Sequence, residues 1–232
     1  MTTYLLLHGG AGLRSVAGFA DLLGDGGTQR VIAPAHPGFD GTERPDALRT
    51  IPDLARHYAA LLDELDLGDV TVIGNSIGGW IAAELALLHS PRVSRVIFVD
   101  SVGIELEGHP VADFFALTLP EVADYSFYEP DKFRIDPSAM PPAAQQAMAG
   151  NRAALALYGR TMIDPTLRAR LAAVDVPTVV IWGEADRIVD VDYGRAFAAA
   201  IPGAQFVLLE KTGHLPQLET PELLRDALVS AT

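Results

Sequence analysis

The chain has 232 residues, 49% of them hydrophobic, with 17 basic against 30 acidic side chains and a formal net charge of −13. That apolar share suffices for a large buried core in one or two domains, while an acidic surface repels nucleic acid and anionic membrane, so neither is an expected partner. The lack of cysteine excludes disulfides, thiolate metal sites and cysteine nucleophiles, and it fits a reducing, cytoplasmic setting.

The N-terminus, MTTYLLLHGG, has no basic leader and a four-residue apolar run, which does not read as a signal peptide. No run approaches the roughly 18 apolar residues needed to span a bilayer. Short runs rich in Val, Ile and Leu predict strands over 3–8, 30–34, 69–73, 94–100, 177–182 and 205–209. They lack polar alternation, the pattern of strands buried on both faces of a parallel sheet. Between the second and third, Leu54, Tyr58, Leu61, Leu62 and Leu65 fall on one face of a helix that Pro52 opens and Gly68 follows. Thr220-Pro221 opens a last helix in the same way. Strand–helix alternation implies an α/β fold with a doubly wound, mainly parallel sheet of about six strands.

The alternation breaks over 103–172, a proline-rich stretch with helical pieces at 111–119, 143–158 and 165–173. It also holds the aromatic residues Phe114, Phe115, Tyr125, Phe127, Tyr128, Phe133 and Tyr158. We read it as a helical insertion between the fourth and fifth strands, because so long a structureless loop would be exceptional. Segments 1–102 and 173–232 then form one discontinuous core.

Ligands of parallel α/β sheets gather at the carboxyl ends of the strands. After the third strand, Gly74-Asn75-Ser76-Ile77-Gly78 fits G-x-S-x-G on a strand–turn–helix, where the flanking glycines let a serine project from a sharp turn. The plainer alternative is a serine that caps the following helix. A nucleophilic serine needs an imidazole to take its proton and a carboxylate to orient that imidazole. Asp186, beside Glu184 after the fifth strand, and His214 after the sixth supply both in the expected chain order. Asp100, ending the fourth strand, is the rival acid, and His8 and His36 are rival histidines at strand ends, read as structural. His57 and His89 sit on helices, and His109 lies in the insertion. Asp190 and Asp192 read as first-turn charges of the next helix. The oxyanion donors expected are the backbone N–H groups of Ile77 and of Gly10, with Ala11 as the alternative. The stretch Gly10-x-Gly12-x-x-Ser15 resembles a degraded dinucleotide fingerprint, but the third glycine and the ribose-binding acid are missing.

The stretches LLLHGGAG, PGFDGT, VIGNSIGGWIAAELA, VPTVVIWGEADRIV and GHLPQLETPELL together resemble the α/β-hydrolase family over nearly the whole chain. The resemblance implies Ser76 as nucleophile, His214 as base, Asp186 as its orienting acid, Gly10 and Ile77 as oxyanion donors, and 103–172 as a cap closing an acyl pocket. It also implies that the usual N-terminal hairpin is absent, leaving six strands rather than eight. The loop AHPGFDGT departs from the common form, which affects one pocket wall. The serine stands against the branch that uses an aspartate nucleophile. Phe114, Phe115, Leu117, Tyr128, Met162 and Leu215 are candidate substrate contacts, with the cap's own core as the alternative role. No Arg/Lys cluster marks a phosphate or coenzyme handle, and no cofactor or metal is expected. The expected activity is hydrolysis of a small, largely apolar carboxylic ester. Lactone, thioester or C–C bond hydrolysis on the same three residues, and a lyase or binding protein on the same scaffold, are the alternatives. The sequence carries no signal of oligomeric state.

Overall fold

A computed structural model describes residues 2–24, 27 and 29–230. Six strands, β1 (Thr2–Leu7), β2 (Gln29–Ile32), β3 (Val70–Asn75), β4 (Val93–Val99), β5 (Thr178–Gly183) and β6 (Gln205–Leu209), form one sheet in the order β2-β1-β3-β4-β5-β6. Every pairing is parallel. All six expected strands are present, the last with the expected ends and the others shifted by one or two residues. The chain steps outward from β1 to β2, then returns to place β3 on the other side of β1. The direction of winding therefore reverses between β1 and β3, and a crevice opens there at the carboxyl end of the sheet.

The strands are apolar on both faces because helices cover both. On one side Leu5, Leu7, Val72, Phe98 and Trp182 pack with Tyr58, Leu62, Ile81 and Phe197, from α2 (Ile51–Glu64), α3 (Ile77–Ala86) and α7 (Val191–Ala199). On the other, Leu6, Ile73, Ile97 and Ile181 pack with Phe19, Leu224 and Leu228, from α1 (Arg14–Gly24) and α9 (Pro221–Ser230). Thr50 and Asp53 form a capping box at the start of α2. Leu65 lies just past the end of that helix and is exposed, so the buried stripe is Leu54, Tyr58 and Leu62.

Between β4 and β5 lie α4 (Leu119–Ser126), α5 (Pro142–Gly159) and the short α6 (Leu167–Arg170), with three single 3₁₀ turns. A helix expected over 111–119 does not form. The chain turns irregularly there, and α4 starts at Leu119, because Thr118 and Glu121 make a capping box and Pro120 occupies the first turn. The piece expected over 165–173 is α6 followed by a 3₁₀ turn. Another short helix, α8 (Pro216–Glu219), follows β6 directly. Among the described residues no helix is long and apolar enough to cross a membrane.

Candidate active site

Ser76 stands between β3 and α3 with φ 56 and ψ −120, a left-handed backbone that a side-chain-bearing residue rarely adopts. The turn is so tight that a Cβ on Gly74 would lie 2.2 Å from the Gly78 carbonyl oxygen. The serine side chain makes no capping bond to α3, which disposes of the capping alternative. Its Oγ instead lies 2.9 Å from Nε2 of His214.

His214 is buried on the loop after β6, and its Nδ1 lies 2.7 Å from Oδ2 of Asp186. The Asp186 carboxylate accepts two backbone N–H bonds through Oδ1, from Ile188 at 2.8 Å and Val189 at 3.1 Å. With Oδ2 held as a carboxylate, the imidazole donates from Nδ1 and accepts the serine proton at Nε2, the tautomer needed for a base. Asp186, not Asp100, is thus the acid bonded to His214. Asp100 is fully buried beside it: its Oδ1 accepts the Gly183 N–H at 2.8 Å and its Oδ2 has no hydrogen-bond partner. Burial first, and the neighbouring Asp186 charge second, raise its pKa well above the usual carboxylate range.

Across the crevice, β1 ends in His8-Gly9-Gly10. The two histidines at the strand ends stack with ring centroids 3.7 Å apart. The His36 N–H donates to His8 Nε2 at 3.0 Å, and His8 Nδ1 lies 2.7 Å from the Gly9 carbonyl. His36 Nε2 reaches the His8 carbonyl and its Nδ1 reaches the Tyr58 hydroxyl. This pattern uses both rings in their neutral forms and assigns them a structural role, as expected. Ile77 is the first residue of α3, so its N–H has no acceptor within the helix and lies at the positive end of the helix dipole.

The segment between β4 and β5 packs against the loops that end β1 and β6. Asn151, buried on α5, donates to the Ala11 carbonyl and to Asp40 Oδ1, and accepts the Asp40 N–H. Asp40 Oδ2 in turn accepts the Leu13 N–H. Leu155 lies so close above Gly10 that a Cβ there would sit 2.7 Å from its Cδ2. Gly159 faces Trp80 and Ile77. On the histidine side, the His214 N–H donates to the Ser126 carbonyl at 2.8 Å. The Glu219 carboxylate accepts N–H bonds from Tyr128, Glu129 and Gly213, joining the two loops. Asn75 donates to the Val99 and His214 carbonyls, and Gln217 donates to Asn75 Oδ1.

Sequence reading did not find Asn75, Asn151, Gln217 or Glu219 as site residues. Only Asn75 had a signal, its place inside the serine motif. The candidate substrate contacts scatter. Phe114 and Phe115 meet edge to face beneath the Arg152 guanidinium, Met162 lies in the main core, and Tyr128 is 45% exposed. Leu117 and Leu215 are half-buried, Leu215 directly after the histidine. His57 stacks edge-on against Tyr58, His89 pairs with Asp175 and His109 with Asp190. Asp190 caps α7 by accepting the Tyr193 N–H.

Residues 4–227 match the model of the alpha/beta hydrolase family. The chain belongs to the alpha/beta hydrolase family. It is 27% identical to a 2-hydroxy-6-oxo-6-(2'-aminophenyl)hexa-2,4-dienoic acid hydrolase of Metapseudomonas resinovorans, over 97% of this chain and 82% of that protein. It is 29% identical to a 2-hydroxymuconate semialdehyde hydrolase of Pseudomonas putida, over 84% of this chain and 74% of the relative. Among solved structures, a thermophilic esterase of Thermogutta terrifontis superposes with a TM-score of 0.79 at 25% identity, covering 99% of this hydrolase and 89% of the esterase.

Proposed function

We propose that this hydrolase cleaves a small, largely apolar carboxylic ester through an acyl-enzyme on Ser76, with 103–172 acting as the cap over the acyl pocket. The observation that carries the reading is the unbroken hydrogen-bonded chain from Ser76 Oγ through His214 to Asp186. His214 takes the serine proton as Oγ attacks the carbonyl carbon. The oxyanion forms between the N–H groups of Ile77 and Gly10, and a donor of this kind contributes about 3–4 kcal/mol. The alkoxide leaves with the proton from His214, and a water activated by the same imidazole releases the acid. The chain's own side chains and water supply every step, and the cysteine-free composition supports a cytoplasmic setting for it.

Leu155 against Gly10, and Ile77 and Trp80 against Gly159, supply apolar surface that suits an apolar acyl group. A second reading, hydrolysis of a C–C bond beside a ketone, is favoured by the likeness to the dienoic acid and semialdehyde hydrolases. A panel of short-chain esters, thioesters, lactones and diketones assayed with wild type and Ser76→Ala decides between them. The expected result is that esters turn over fastest and that Ser76→Ala loses on the order of 10⁶-fold in kcat. Faster turnover of a diketone than of any ester would select the second reading, and full activity in Ser76→Ala would remove both.

A further inference from the structure

Two buried carboxyl groups stand beside a single imidazole. Asp100, Asp186 and His214 come from the loops after β4, β5 and β6, and all three are buried. Each offers an atom within 4.8 Å of the others. Asp186 has an obvious partner set: two backbone N–H groups and the imidazole. Asp100 has one backbone donor and a buried oxygen with none. The titratable groups gathered with it are Asp186 and His214. Its other close neighbour, Ser101, spends its hydroxyl on the Val102 carbonyl. Two carboxylates this close and this dry cannot both ionise against one imidazole. An Oδ2 that lacks a donor as a carboxylate becomes a donor itself as a carboxylic acid, and Asp186 is the acceptor at hand.

We propose that Asp100 is a positioning residue that keeps its own proton at neutral pH and turns that O–H onto the Asp186 carboxylate, so that the pair carries one negative charge. The direction in which burial and Asp186 push its titration agrees with this. A further donor on Asp186 fixes the orientation of that carboxylate, whose Oδ2 faces His214 Nδ1, and so holds the ring in its working tautomer. The effect on turnover rests on the hydrolase reading above; the proton on Asp100 does not.

Asp100→Asn tests both parts, because an amide reproduces the shape, the acceptor for Gly183 and the donor toward Asp186. Wild-type folding must take up a proton at Asp100 wherever the unfolded aspartate is ionised, a cost that grows with pH up to the raised folded value. The amide takes up none. The variant's melting temperature should therefore exceed that of wild type by a margin that closes near about pH 4, where the unfolded aspartate takes up its proton, and widens as pH rises above it. In protein carrying ¹³C-labelled aspartate, one carboxyl resonance should remain protonated at neutral pH and vanish in Asp100→Asn. Activity should stay within about tenfold of wild type, while Asp186→Asn loses on the order of 10⁴-fold. Fully ionised aspartates at neutral pH, or a variant less stable than wild type at every pH, would overturn the proposal. If no variant or wild type hydrolyses any substrate, the resonance and the melting curves still decide the proton, and only the hydrolase reading fails.

Discussion

At Ser76 a single residue is held at φ 56 and ψ −120, and such backbones cost on the order of 1–3 kcal/mol. The turn persists because β3, β4 and α3 fix both of its ends: Ser76 N–H donates to the Val99 carbonyl, and its own carbonyl accepts from Gly79 and Trp80. The strain projects the hydroxyl out of the sheet toward His214 instead of back onto the helix. Gly74 is the residue that permits so close an approach of strand and helix. The atom a new Cβ would strike is the Gly78 backbone oxygen, which no rotamer change can move. Gly74→Ala is expected to destabilise the fold by about 3 kcal/mol, measured by urea unfolding, and to lower kcat in the fraction that folds. A variant as stable and as active as wild type would show that the elbow relaxes freely.

The elements bring together what each residue alone cannot. The reversal of winding between β1 and β3 opens the crevice. The paired histidines then fasten the end of β1 to the loop after β2, so the backbone at Gly9 and Gly10 is held from beneath. Burial lowers the His8 pKa to about 4, and burial first, with the neighbouring His8 ring second, also pushes His36 well below its ordinary value. A histidine whose folded pKa lies below its unfolded value leaves stability intact above the unfolded pKa and removes it as pH falls. The window runs from about pH 6.5 down to about pH 4 for His8, with a total of about 3 kcal/mol. Asp100 acts with the opposite sign, so the clearest check is on the rings themselves. Long-range ¹H–¹⁵N spectra at about pH 5 should show both imidazoles neutral, His8 protonated at Nδ1 and His36 at Nε2. Titration of either ring near its ordinary value would contradict the arrangement.

On the scale of the whole molecule, what could be read from sequence depended on how local the signal was. Six strands were legible because each is a contiguous apolar run between two covered faces, and Ser76, Asp186 and His214 because each follows such a run. The helix expected over 111–119 was misplaced because its apolar residues fit a helical spacing, while the capping box of Thr118 and Glu121 starts the helix later. The polar braces were illegible for a different reason. Gln217 meets Asn75 across 142 residues, and Asn151 meets Asp40 across 111, so no window of sequence contains both partners. The choice between Asp100 and Asp186 likewise required the fold, since both follow strands and only one reaches the imidazole.

The proposed chemistry depends on an alcohol made reactive by an imidazole 138 residues away in the chain. Labelling with a fluorophosphonate, followed by peptide mapping, reads that reactivity without any knowledge of the substrate. Stoichiometric modification at Ser76 is expected in wild type, and its loss in His214→Gln of unchanged fold. An unlabelled Ser76 in folded wild type, or equal labelling rates in the two proteins, would contradict it.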